Sequence, residues 1–287
     1  MKYLLRLILL NFILSSCVKN NDDPSWIKVN KWSLNSNLNA NYPQGELTHN
    51  FTDACVFVDN KIMGIFEVPF KIPLLKSGNV NIIIYPVVKN NGISSTKKIY
   101  PFVEPFNVSV NLVKNNTVTI SPITRYNSIT KFWIEDFEDA TIKIENNSES
   151  KVQIHSGDDK MILKYGNYYG GITLTEKDSV WLAKTNGHLV LPKSGKEVYL
   201  EIDYYNTASL LTGVLACNSS NSIDNPNIQL NKQDILSVGW KKIYIDLKEL
   251  ISYSTTADYF EITFKALFEA GLTSRYIYMD NIKLVYN

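Results

Sequence analysis

Val198-Tyr199-Leu200-Glu201-Ile202-Asp203-Tyr204-Tyr205 alternates its side chains in steps of two. On an extended chain successive residues point to opposite faces. Val198, Leu200, Ile202 and Tyr204 therefore share one face, and Tyr199, Glu201, Asp203 and Tyr205 share the other. That is a strand with one face on a core. Downstream, Lys241-Lys242-Ile243-Tyr244-Ile245-Asp246-Leu247 alternates in the same way, and residues 259–267 and 276–286 continue the pattern. One short helix is predicted near 247–252, with Asp246 as its N-cap. Many strands with almost no helix predict a β-sandwich over 127–287.

Residues 26–126 read as a second, upstream set of short strands. Ala54-Cys55-Val56-Phe57-Val58 runs into Asp59-Asn60, a turn-forming pair, and Lys61-Ile62-Met63-Gly64-Ile65-Phe66 returns from it. A further hairpin is expected around Lys114-Asn115-Asn116, between 107–113 and 117–120. Pro69, Pro73, Pro86, Pro101, Pro105 and Pro122 argue against long helices. Val56-Phe57-Val58-Asp59-Asn60-Lys61 with Gly64 resembles the start of PEGA-type modules, although Asn60 stands where that family has glycine. The expectation is an all-β chain of two β-sandwich domains, an immunoglobulin-like one over 26–126 and a jelly roll over 127–287.

The first residues carry a different message. Lys2 and Arg6 precede an apolar run over 4–14, too short to span a bilayer as a stable helix, which needs ~20 residues. It fits the core of a signal peptide over 1–16. Leu14-Ser15-Ser16-Cys17 resembles the lipobox. The resemblance implies cleavage before Cys17, acylation of its thiol with palmitate-type chains, and a lipoprotein held on a membrane. Residues 17–25 form a polar tether. Its Lys19-Asn20-Asn21-Asp22-Asp23 resembles the surface-export signal of Bacteroidetes-type lipoproteins, which implies an outer-membrane protein exposed at the cell surface. Asp178-Ser179-Val180 resembles an acceptor site for O-linked glycans in such bacteria.

A net charge of +1 leaves no electrostatic footprint for nucleic acid. Cys55 and Cys217 fall in different domains and are expected as free buried thiols. His49, His155 and His188 show no metal-ligand spacing, and Gly170-Gly171 reads as a flexible turn.

Glu135-Asp136-Phe137-Glu138-Asp139 opens the second unit and Tyr276-Ile277-Tyr278-Met279-Asp280-Asn281-Ile282-Lys283-Leu284 ends it. With Leu191-Pro192 and Trp240-Lys241-Lys242-Ile243-Tyr244 between them, the order resembles the galactose-binding-like jelly rolls of carbohydrate-binding modules. The resemblance implies a structural calcium held by Glu138 and Asp280, with Asp136 or Asp139 as helpers. It also implies glycan binding, for which Tyr168, Tyr169, Trp181, Tyr204 and Tyr205 are candidate stacking rings. Glu201, Asp203 and Asn206 are candidate polar partners on the outward face of their strand.

Glu201-Ile202-Asp203-Tyr204-Tyr205-Asn206 is also similar to the Glu-Ile-Asp-x-x-Glu signature of laminarinase-type glycosidases. Asn206 stands where that family has its acid/base carboxyl, and an amide cannot transfer that proton. The expectation is a binding protein rather than an enzyme. The alternative is a non-catalytic part of an envelope assembly, recognised by a protein partner.

Overall fold

The structure is a computed structural model and describes residues 23–287. The signal segment, Cys17 and most of the tether lie outside the described residues. Among the described residues no helix is long and apolar enough to cross a membrane.

The first part of the chain forms β1 (Ser25–Val29), β2 (Ser33–Leu34), β3 (Asp53–Val58), β4 (Lys61–Glu67) and β5 (Phe70–Leu74). It continues with β6 (Gly78–Lys89), β7 (Lys97–Ile99), β8 (Phe106–Leu112), β9 (Thr117–Ile120) and β10 (Ile123–Thr124). One sheet runs β5-β1-β9, a second runs β4-β3-β6-β7 with β8 also on β6, and β10 pairs with β2. The β3–β4 hairpin turns at Asp59 and Asn60, whose φ angles are 47° and 64°. A tight two-residue turn needs φ above zero at both positions, and Asp and Asn tolerate it best after glycine.

The expected hairpin around Lys114-Asn115-Asn116 does not form. β8 pairs with β6, whereas β9 runs parallel to β1, so this turn carries the chain from one sheet to the other. A turn signature specifies a reversal and leaves open which strand the returning segment joins.

The second part contains β11 (Lys131–Glu135), β12 (Ile144–Asn146), β13 (His155–Gly157), β14 (Tyr169–Thr175) and β15 (Val180–Thr185). After them come β16 (Val198–Asn206), β17 (Leu210–Cys217), β18 (Ser222–Leu230), β19 (Lys241–Asp246), β20 (Tyr259–Leu267) and β21 (Ser274–Tyr286). One sheet has the order β13-β14-β21-β16-β19, with β11 added on β21, and the other β12-β15-β20-β17-β18. Val198, Leu200 and Ile202 of β16 are fully buried in the core between them, as the alternation requires. Each such side chain contributes about 1.5–3 kcal/mol relative to exposure.

The helix α1 (Lys248–Tyr253) is where the sequence puts it, but Leu247 is its N-cap residue. Asp246 still accepts a hydrogen bond from the Lys248 N–H at 3.0 Å. Gly170-Gly171 is not a turn: both residues lie inside β14 and are buried. The Phe137 ring occupies the place of a Gly170 side chain, 2.1 Å from where a Cβ would sit. Cys55 and Cys217 are free and buried.

Tyr199, Tyr244 and Val285 project from the second unit into the first unit's core, which is built from residues between Ile27 and Tyr126. Tyr199 packs edge-on against Tyr100 and Phe102, with ring centroids 5.4 and 5.9 Å apart. The Asn91 N–H donates to the Tyr244 carbonyl at 2.9 Å, and Lys98 pairs with Glu197 and Asp246 at 3.0 and 2.9 Å. One end of the outer face of the large sheet is thus covered by the first unit.

Candidate functional site

β16 and β21 lie side by side, and both alternate. Their outward residues divide into two regions. In the covered region stand Tyr199, Glu201 and Asp203 of β16, Lys283 and Val285 of β21, and Lys242 and Tyr244 of β19, all buried. Glu201 accepts hydrogen bonds from the Tyr100 and Tyr126 hydroxyls and pairs with Lys242 at 3.0 Å. Burial alone would raise its carboxyl, but Lys242 and then Lys283 hold it below the usual glutamate range. Asp203 accepts from the Thr48 hydroxyl at 2.6 Å. Lys283 donates to the Gln44 and Glu46 carbonyls, and burial brings its ammonium down to about 8.

These contacts correct the sequence reading. Glu201 and Asp203 do face outward, but into the first unit and not into solvent. They join the two units and are closed to a sugar. Asn206 is fully buried and donates to the Ala208 carbonyl at 2.8 Å, which fixes the chain after β16. Trp181 is a core residue, fully buried, its indole N–H donating to Asn146 at 2.9 Å. Tyr204 packs against the second core, as its face predicts.

The uncovered region is aromatic. Tyr205 of β16, Tyr276 and Tyr278 of β21 and Trp240 just before β19 are half-buried, and Tyr169 of β14 is buried beside them. The Tyr278 ring centroid lies 5.0 Å from Tyr169, 5.4 Å from Tyr205 and 6.0 Å from Tyr276. Trp240 lies 6.2 Å from Tyr205 and 6.5 Å from Tyr169. Gly157 lets Tyr169 settle, because a Cβ there would be 2.6 Å from the ring. Burial first, then neighbouring Tyr169, Tyr276 and Tyr205, push the Tyr278 phenol up to about 12. It is therefore neutral and a hydrogen-bond donor at any ordinary pH.

Of the rings proposed from sequence, Tyr169 and Tyr205 belong to this strip. Tyr168 is exposed at 42% and, among the described residues, its ring stacks on no other. Trp240, Tyr276 and Tyr278 were missed as site residues. Tyr276-Ile277-Tyr278 alternates visibly, so its two rings share a face. Only the pairing of β21 with β16 sets them beside Tyr205.

Trp240 also borders a cleft of about 410 Å3 between the two units, lined by His49, Lys89, Lys164, Tyr165, Tyr204 and Lys241 among others. His49 stacks on Phe51, with centroids 5.0 Å apart. Burial first, then Lys242, lowers its pKa, which favours the neutral imidazole.

Glu138 and Asp280 meet at a separate small cavity, with Asp136 and Glu46 on its wall. Here β11 leaves β21 and β14 takes over the same edge. Burial, then Asp203, Asp136 and Glu138, raises the Asp280 carboxyl to about 8. Glu138 already accepts from the Asn167 and Tyr168 N–H groups at 2.6 and 3.0 Å. Among the described residues no three His, Cys, Asp or Glu side chains are placed to hold a metal ion. Calcium takes six to eight oxygens, so this pair would need carbonyls or water to complete a shell.

No protein-family model matches the chain, and no curated protein matches it. Solved structures similar to it include a mutant of the family 29 carbohydrate-binding module CBM29-2, at 14% identity over 54% of this chain and 85% of that one, with a TM-score of 0.34. The family 11 carbohydrate-binding module of a cellulosomal cellulase of Clostridium thermocellum is also 14% identical, over 55% and 95%, with a TM-score of 0.35. A carbohydrate-binding module of the β-sandwich superfamily is 13% identical over 81% of this chain and 84% of that one, with a TM-score of 0.39.

Proposed function

We propose that this protein binds a carbohydrate on the aromatic strip of the large sheet, and that it does so from a membrane. The observation that carries the binding is the strip itself. Tyr205, Tyr276, Tyr278 and Trp240 are rings left half-open to solvent on a rigid sheet, and they touch one another through Tyr278 and Tyr205. Sugar rings present C–H faces that pack on aromatic faces, while their hydroxyls need donors and acceptors at the rim. The Tyr205 and Tyr278 hydroxyls have no protein partner among the described residues and can serve that need. Chemistry is not part of the proposal: Glu201 and Asp203 are engaged by protein groups and closed to a substrate. A glycan array with the soluble chain from residue 18 onward tests the reading. Selective binding to one polysaccharide class supports it, and a folded protein that retains no glycan removes it.

The membrane part rests on Leu14-Ser15-Ser16-Cys17, which follows a short apolar run. Cleavage before Cys17 and acylation of its thiol would place the two sandwiches on a lipid tether at the outer membrane, facing the cell surface. Cys17→Ser is expected to abolish labelling by radioactive palmitate and to release the protein from the membrane fraction. Unchanged labelling would contradict it.

A structural calcium between Glu138 and Asp280 is proposed on the same footing, supported by two carboxylates from opposite ends of the second unit on one cavity wall. Calcium binding would raise the thermal midpoint at pH 8, and Glu138→Gln would abolish that rise. Identical midpoints with calcium and with chelator would dismiss it.

A further inference from the structure

The cleft beside the aromatic strip carries more positive charge than a neutral sugar calls for. Lys89, Lys164 and Lys241 line it, and among the described residues none of the three has a carboxylate partner. Lys164 and Lys241 are exposed. The cleft's carboxylate, Asp203, is buried and held by the Thr48 hydroxyl at 2.6 Å, with Lys242 3.8 Å away. It is spent within the joint between the units and cannot neutralise the lysines at the mouth. Other lysines of this near-neutral chain stand against acids, as Lys76 does with Asp59, Lys184 with Glu145 and Glu261, and Lys248 with Glu197. What sets these three apart is that they share one concavity with no free carboxylate in its lining.

The second observation is continuity. Trp240 belongs to both features: it meets Tyr205 at a tilt and Tyr169 edge-on on the strip, and it forms one wall of the cleft. A chain of sugar rings laid along Tyr278, Tyr205 and Trp240 therefore runs into the lysines. Tyr165 stands at the same wall with the Lys164 ammonium 5.0 Å from its ring centroid, a cation–π contact that holds the charge at the cleft.

We infer that the ligand is an acidic glycan, whose stacked rings lie on the strip and whose carboxylate or sulfate groups sit in the cleft between the two units. This rests on the carbohydrate reading above. Lysine offers a mobile point charge with three donors, which suits an anion displayed on a flexible polymer better than a fixed bidentate geometry. The cleft is open to water, so the attraction is screened by salt.

The test uses the soluble chain from residue 18 onward and matched pairs of oligosaccharides. Each pair is a uronic-acid oligomer and its carboxyl-reduced form, across galacturonate, glucuronate and mannuronate types, with sulfated and unsulfated forms of one neutral oligomer as a further arm. Calorimetry is expected to show at least one acidic member binding tenfold or more tighter than its neutral partner, an advantage that shrinks as salt is raised. Whichever arm shows the preference distinguishes carboxylate from sulfate. Lys89→Gln/Lys164→Gln/Lys241→Gln should erase that advantage and leave binding of the neutral partner unchanged, whereas Tyr278→Ala should weaken both. Equal affinity within every pair would overturn the acidic ligand while leaving the strip as a neutral-glycan site. A triple variant that keeps the preference would also overturn it. Failure of every oligosaccharide to bind a folded chain would remove the strip reading and this inference together.

Discussion

Glu201 is a single residue on which two units depend. It is fully buried, takes hydrogen bonds from Tyr100 and Tyr126 of the first unit, and faces Lys242 and Lys283 of its own. Desolvating one carboxylate and two ammonium groups is costly, and their mutual attraction with full hydrogen bonding offsets that cost. Removing one partner leaves the others buried and uncompensated. Glu201→Gln is expected to destabilise the protein by about 3 kcal/mol. Glu201→Gln/Lys242→Met should recover part of that loss, since it removes one of the charges left behind. The pH dependence has a definite sign. The folded carboxyl lies below its ordinary value of 4.5, so its contribution is present above 4.5 and is lost as pH falls through the lower, folded value. Urea melts across this acid range should show a slope that the glutamine variant lacks. An equal slope in both proteins would mean that Glu201 does not couple the units as described.

At the scale of the element, β16 was legible in one respect and opaque in another. Its period of two placed Val198, Leu200 and Ile202 in the core and Glu201 and Asp203 on the outer face, and both statements hold. The sequence does not say what lies against an outer face. Here the cover comes from Thr48, Tyr100 and Tyr126, far away along the chain, so two residues that look solvent-facing are buried. The same limit applies to β21. Tyr276 and Tyr278 share a face by alternation, but their neighbours on the strip come from β14, β16 and the segment before β19. Local pairing was readable at Asp59-Asn60 because a two-residue turn dictates its own strand partners. It was not readable at Lys114-Asn115-Asn116, where the chain changes sheets. Asn206 and Trp181 have the chemistry of site residues, yet they spend it on the Ala208 carbonyl and on Asn146 inside the second unit. Composition alone cannot separate those uses.

At the scale of the whole molecule, the outer face of the large sheet is shared between a joint and an aromatic strip. The first unit covers Tyr199, Glu201, Asp203, Tyr244 and Lys283, and the strip begins where that cover stops, at Tyr205 and Trp240. The second unit by itself would expose Tyr199, Tyr244 and the buried charges, so the strip is tested on the complete pair. The cleft at their seam exists only when both are present, since His49 and Lys89 come from one and Trp240 and Lys241 from the other. The central claim is that the half-buried rings of this strip bind a glycan. It is tested most directly by calorimetric titration of the soluble chain with the best glycan from the array, comparing wild type with Tyr278→Ala and Trp240→Ala at matched thermal midpoints. The account predicts a loss of tenfold or more in affinity for each variant, about 1.4 kcal/mol or more, with folding intact. Undiminished affinity in both variants, in proteins that melt like wild type, would contradict it.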